Sequence, residues 1–225
     1  MCVMASKEGT LVLLSGGQDS TTALFWAKKR FSRVEAVSFD YGQRHRVELK
    51  HAAKTAALAR AGHTVMPVRE FEAIKYSALI KGAKRGKKDR VNKKLPATFV
   101  PGRNILFLAA AASYAYTKKI HNLVIGVSQV DYSGYPDCRR GFLSAMEKAL
   151  SLGLDYRIKI HAPLINKTKK ETVLLAKKLG VLHYLKHTHT CYEGKTPGCG
   201  KCAACVLRAK GFEDAGVEDP LFERR

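Results

Sequence analysis

The sequence is poor in acid. Its 225 residues carry 19 Asp and Glu against 40 Lys and Arg, a formal net charge of +21 at pH 7. So one-sided a balance favours anionic partners, such as nucleotides, RNA or other polyanions. Long apolar runs are missing as well. The longest apolar-rich uncharged stretch, residues 105–117, is too short to span a bilayer. The first ten residues place Lys7 and Glu8 where a secretory signal needs an apolar core. A soluble, cytoplasmic protein is therefore expected. Cysteine is scarce outside one place, since four of the six lie within residues 191–205. In a reducing compartment such crowding points to a metal, not to disulfides. No internal repeat is visible. No Gly-Lys-Ser/Thr and no Gly-x-Gly-x-x-Gly follows the first apolar run, which excludes a Walker P-loop and a dinucleotide fingerprint there.

What is present reads as alternating strands and helices. The chain is 46% hydrophobic, enough for one sizeable core. Strands are expected at 10–14, 34–39, 64–68, 123–127 and 157–160. Helices are expected at 21–31, 47–61, 105–116, 142–152 and 169–179. That alternation implies α/β architecture, a parallel open sheet with helices on both faces. Two segments break the pattern. Residues 81–94 hold eight basic side chains and one acid, Asp89, and read as a solvated loop. Such a loop is expected to steer anions by long-range attraction and to be dispensable for chemistry. Residues 188–225 are cysteine-rich, then polar. The expected organisation is an α/β domain over 1–187, with residues 188–225 as a zinc-binding segment packed on it.

The turn after the first strand is Ser15-Gly16-Gly17-Gln18-Asp19-Ser20. Glycine tolerates positive φ and close backbone approach, so successive N–H groups can share a concavity. The helix that follows adds its positive end, and the two together favour an anion. Ser15 and Ser20 can donate to phosphate oxygens. Asp19 either holds Mg²⁺ against a pyrophosphate or caps the helix.

Ser-Gly-Gly-x-Asp-Ser after a first strand resembles the loop of the PP-loop ATP pyrophosphatases. Within that superfamily, Ser15 to Thr22, Phe39 to His45, Phe99 to Asn104, Gly134 to Arg139 and the cysteine cluster are similar to the 7-cyano-7-deazaguanine synthase family. The similarity runs in order through nearly the whole chain and is weakest over 81–94. It implies ATP binding by Leu14, Ser15, Gly16, Gly17, Gln18, Asp19, Ser20, Thr21, Thr22, Ala23 and Leu24. It implies Asp19, Arg103 and Lys169 as catalytic groups, with Glu171 also functional. Tyr41, Arg44 and His45 are expected in the nucleotide or substrate pocket, with Arg139 beside it. A carboxylate can accept two N–H bonds from a deazaguanine edge, and Asp131 and Asp137 are equal candidates. Cys138 is a conceivable nucleophile, but adenylation makes covalent catalysis unnecessary.

Cys191, Cys199, Cys202 and Cys205 have spacings of seven, two and two intervening residues. Four thiolates suit tetrahedral Zn²⁺, and a site without an open position is structural. An iron–sulfur cluster is the weaker rival. The family resemblance implies that ATP activates 7-carboxy-7-deazaguanine, that ammonia displaces AMP to give an amide, and that a second ATP converts the amide to the nitrile. It implies small-molecule partners, Mg²⁺, a homodimer, no membrane and no obligatory nucleic acid. Three rivals share part of this pattern: a tRNA-modifying PP-loop enzyme such as a sulfur transferase, a zinc-ribbon nucleic-acid binder, and a ligase joining the deazaguanine acyl group to another amine.

Overall fold

The computed structural model describes residues 6–74, 76–81, 88–89, 91–130 and 134–222. Five parallel strands form one sheet: β1 (Ser6–Leu13), β2 (Phe31–Asp40), β3 (Gly62–Pro67), β4 (Asn122–Ile125) and β5 (Lys159–His161). Their spatial order is β3-β2-β1-β4-β5, with every pair parallel. Parallel neighbours need crossovers, which helices supply. These are α1 (Gln18–Lys28), α2 (Val47–Leu58), α3 (Glu70–Ile74), α4 (Arg103–Thr117), α5 (Arg140–Leu154), α6 (Lys169–Lys178) and α7 (Ala203–Asp214).

Successive side chains of β1 point to opposite faces, and each face has its own core. Leu11 and Leu13 join Val37, Phe39, Leu123, Ile125 and Ile160 under α4 and α5. Val12 and Leu14 join Ala36 and Val124 under α1, α2 and α6. The expected architecture, an open parallel sheet covered on both faces, is the observed one. Among the described residues no helix is long and apolar enough to cross a membrane.

The chain first moves outward from β1 to β2 and β3, then returns to place β4 on the other side of β1. Open α/β sheets bind ligands in the crevice beyond the carboxyl ends of strands at such a reversal. Here that crevice lies between the turn after β1 and the turn after β4. A Cβ on Gly126, just past β4, would stand 2.9 Å from backbone atoms of Asp19 and Ser20. Glycine at 126 thus lets the first turn of α1 sit directly against β4.

Several boundaries differ from expectation for physical reasons. Helix α1 begins at Gln18, not 21, because the Thr21 N–H already reaches the Gly17 carbonyl at 3.0 Å. Strand β4 stops at Ile125, since Gly126 leaves the ladder to meet α1. Helix α7 was not expected in a segment read as polar. It forms over Ala203–Asp214 and buries Arg208, Gly211 and Phe212. Of the basic stretch, residues 82–87 and 90 lie outside the described residues. Its one acid is not solvated. Asp89 is buried, and its Oδ1 accepts from the Val91 and Asn92 N–H groups and from the Tyr76 hydroxyl.

Arg208 fastens the C-terminal segment. Its buried guanidinium makes a two-pronged pair with Asp219, at 2.6 and 2.8 Å, and also donates to Thr188, Thr190 and the Leu185 carbonyl. Removing one partner of a buried pair strands the other charge, at a cost of about 3–5 kcal/mol. Arg208→Met is expected to lose about that much stability in urea denaturation. A loss within experimental error would mean that Asp219 finds water instead.

Candidate active site and metal centre

The turn after β1 is closed on itself by serines. The Ser15 and Ser20 hydroxyl oxygens lie 3.0 Å apart, and Ser20 Oγ accepts the Ser15 N–H and donates to the Gly17 carbonyl. Gly17 begins α1 with no side chain capping the helix. The first-turn N–H groups therefore face the crevice with the helix's positive end behind them, as an anion site requires. Gly16 has φ +82°, and a Cβ there would lie 2.4 Å from the Glu48 carbonyl oxygen and 2.8 Å from the Ala52 nitrogen. The Gly16 carbonyl in turn accepts the His189 N–H at 2.9 Å.

Around this turn opens a cavity of about 350 Å³, a size suited to a small ligand. Lys169, the first residue of α6, reaches across α1 to Asp19 Oδ2 at 2.6 Å. Asp19 Oδ1 is buried without a hydrogen-bond partner. Position 169 is fixed from behind, because a Cβ on Gly211 of α7 would come within 2.7 Å of Lys169 Cγ. Arg103 enters from the opposite wall, at the N-terminus of α4, with its guanidinium 6.0 Å from the Tyr135 ring centre. Burial opposes its charge, but Tyr41, Asp137, Tyr135 and Cys138 together raise its pKa. It remains a cation.

The structure brings Tyr41, Arg44 and His45 to the cavity, as expected. Leu14, Ser15, Gly17, Gln18, Asp19 and Ser20 line it too. Thr21, Thr22, Ala23 and Leu24 do not. They are buried within α1, where Ala23 and Leu24 join the core. Asp40, at the end of β2, is engaged by Arg46. Asp137 is buried behind the wall, where its Oδ2 accepts the Asn104 N–H at 3.1 Å and caps α4. Asp131 lies outside the described residues. Arg139 is exposed and donates to the Gly134 carbonyl. Glu171 forms a capping box with Thr168 at the start of α6. Burial pushes the Cys138 thiol up to about 12, with Asp137 adding to the shift. A thiol so protonated is a poor nucleophile.

Tyr192 and Glu48 line the cavity but escaped the sequence reading. Tyr192 comes from the cysteine-rich segment, and Glu48 sits in the first turn of α2. Burial pushes the Glu48 carboxyl up to about 7, against the opposing pull of Arg103 and a hydrogen bond from Gln43. Glu48 is the second residue of α2, and it lines the cavity together with His45 just before that helix.

The cysteines converge. The sulfurs of Cys191, Cys199, Cys202 and Cys205 all lie within 4.8 Å of one another. A tetrahedron of thiolates around one zinc-sized ion spaces its sulfurs by about 3.8 Å. Backbone N–H groups of Lys201 and Cys202 point at Cys199 Sγ and lower that thiol to about 6. A Glu193 N–H points at Cys191 Sγ, at 3.4 Å. Such N–H···S bonds favour thiolates, the form that binds a metal.

The family described as "Queuosine biosynthesis protein QueC" matches residues 9–216. The chain belongs to the QueC family. Relatives named 7-cyano-7-deazaguanine synthase include one from Chromobacterium violaceum, 56% identical across 98% of this chain and 95% of that protein. Another, from Laribacter hongkongensis, is 52% identical across 98% and 97%. A third, from Helicobacter pylori strain J99, is 45% identical across 92% and 97%. Among solved structures, a predicted subunit of a tRNA methyltransferase from Methanocaldococcus jannaschii shares the fold. It is 19% identical over 76% of this chain and 74% of that one, with a TM-score of 0.50. In this QueC-family chain the cluster can hold one metal ion, and the β1–α1 turn has the form of an anion-binding loop.

Protein purified without chelator is expected to carry one metal ion per chain by elemental analysis. Cys202→Ser should lose most of that metal and expose residues 188–222 to hydrogen exchange. Full metal occupancy in Cys202→Ser would remove the cluster from consideration as the site.

Proposed function

We propose that this protein converts 7-carboxy-7-deazaguanine and ammonia to 7-cyano-7-deazaguanine, the nitrile of queuosine biosynthesis, at the expense of ATP. The observation that carries the reading is the convergence of the uncapped Ser15–Ser20 turn, Lys169 and Arg103 on one cavity in a QueC-family chain. Forming a nitrile from an acid removes the elements of water twice, and each removal needs an activated oxygen. ATP supplies the activation. The substrate carboxylate attacks the α-phosphorus, pyrophosphate leaves, and ammonia displaces AMP. The amide oxygen then repeats the attack on a second ATP, and loss of AMP leaves the nitrile.

The chain's own groups meet the charge that develops. The N–H groups of α1's first turn, the Ser15 and Ser20 hydroxyls and the Lys169 ammonium face the departing pyrophosphate. Asp19 is the residue that would hold Mg²⁺, and its buried, unpartnered Oδ1 fits a cation. When bound, Mg²⁺ supplies charge neutralisation at the phosphates. Arg103 orients the substrate carboxylate from the far wall, and the ring of Tyr41 closes that side against water. The metal held by Cys191, Cys199, Cys202 and Cys205 is zinc. Four protein ligands fill its coordination, so it is structural. The partners in this reading are ATP, ammonia and the deazaguanine acid, and the assembly is a homodimer in the cytoplasm.

Incubation with ATP, Mg²⁺, ammonium and the carboxylic acid should yield the nitrile with AMP and pyrophosphate as the nucleotide products. ADP as the main product would overturn the reading, and so would a tRNA-dependent turnover without nitrile. Asp19→Ala should lower kcat on the order of 10²–10³-fold. Loss of a helix cap alone would cost only about 1 kcal/mol of stability and no activity.

A further inference from the structure

We propose that Glu48 is the base that accepts protons from nitrogen during amination and nitrile formation. This rests on the reaction proposed above. Nothing in that reaction's adenylation steps releases a proton, but every nitrogen step does. Ammonia adds to the carbonyl carbon of the acyl-adenylate, the C–N bond forms, the C–O bond to AMP breaks, and one N–H proton must leave. In the second half, the O-adenylated amide cation loses AMP and two N–H protons as the triple bond forms. The phosphate turn and its cations serve the oxygen chemistry. They offer no free base.

The geometry selects Glu48. Its backbone carbonyl lies 2.4 Å from where a Cβ on Gly16 would stand, so the residue is held immediately behind the phosphate turn. Its side chain lines the cavity together with Gln43 and Arg103, and both lower its pKa against the effect of burial. It thus lies between the turn that holds the α-phosphate and the arginine that orients the carboxyl group. The adenylated carbon forms in that interval. Gln43 is itself fixed, because its Oε1 accepts the Tyr41 N–H at 2.8 Å and its Nε2 donates to the Phe39 carbonyl at 3.1 Å. The amide beside the carboxylate is therefore held in one place.

The competing groups are committed elsewhere. Asp19 is paired with Lys169. Cys138 stays a thiol. His189 donates its Nε2–H to the Cys191 carbonyl at 3.0 Å, which holds the ring toward the cysteine-rich segment. Arg44 and Arg103 are cations, and burial keeps the Tyr41 phenol protonated. His45 is the rival base on this wall, with its ring against the Gly194 backbone and its Nε2 buried without a hydrogen-bond partner. A carboxyl brought up to about 7 by burial is half ionised at neutral pH. It takes a proton more readily than an ordinary carboxylate and returns it to water within a turnover. Its activity rises as pH rises through that value, because only the ionised form is a base.

Glu48→Gln keeps the Gln43 contact and removes the base. Exchange of labelled pyrophosphate into ATP, dependent on the carboxylic acid, reads adenylation alone and should survive in Glu48→Gln. That survival also reports a folded, substrate-binding variant. Nitrile formation should fall on the order of 10²–10⁴-fold, and the rising limb of kcat near pH 7 should vanish. Hydroxylamine, a nucleophile that is mostly neutral and less basic than ammonia, should restore capture of the adenylate as hydroxamate. If Glu48→Gln loses exchange in proportion to nitrile formation, Glu48 binds substrate and is not the base. If the pH limb persists in Glu48→Gln and disappears in His45→Asn, the proton acceptor is His45. Absence of acid-dependent exchange in the wild-type protein would overturn the proposed reaction itself.

Discussion

The site depends on one close backbone contact. Gly16 is wedged between the end of β1, the carbonyl of Glu48 and the nitrogen of Ala52, and it also carries the hydrogen bond from His189. No residue with a Cβ fits there, and φ of +82° would strain one in any case. The contact fixes the phosphate turn against α2 on one side and against the cysteine-rich segment on the other. Both lining elements are thereby registered to the same carbonyl. The order of the walls around the cavity follows from that point, including the position of Glu48 and the approach of Tyr192.

Charge in the cavity is arranged by depth. Lys169 and Arg103 stand on opposite walls, and each is held by side chains that cost it little mobility. Lys169 is braced by Asp19 and Gly211, and Arg103 by Tyr41 and Tyr135. A net charge of +21 over the sequence raises the local concentration of anions near the molecule. Inside the cavity the two fixed cations decide where phosphate and carboxylate come to rest. The Glu48 carboxyl on this cavity is pushed up by burial, which outweighs the attraction of Arg103.

The strands, their parallel order and the phosphate turn were readable because short apolar runs alternating with helical segments and the glycine turn are local properties. The cysteine spacing was readable for the same reason, since thiolate geometry needs few residues. Helix α7 was not readable. Its apolar face is thin, and it is held by Arg208–Asp219 and by two cysteines, contacts that no periodicity records. The roles of Asp137 and Glu171 were likewise hidden. A carboxylate that caps a helix and one that touches a ligand look alike in a sequence, and only the Asn104 and Thr168 hydrogen bonds separate them. Glu48 was missed for the converse reason. An acid in the first turn of a helix is what the helix end prefers on its own account, so nothing marked it out.

Gly211 carries a consequence for the tolerance of this protein to substitution. A glycine in the middle of a twelve-residue helix gives up about 1 kcal/mol relative to alanine. Random variation would therefore be expected to replace it with alanine and gain stability. Here the added methyl would push against the Lys169 side chain and backbone. Position 211 should thus behave, in a mutational scan for growth or turnover, like a residue of the cavity, although it lies on a different helix and touches no ligand.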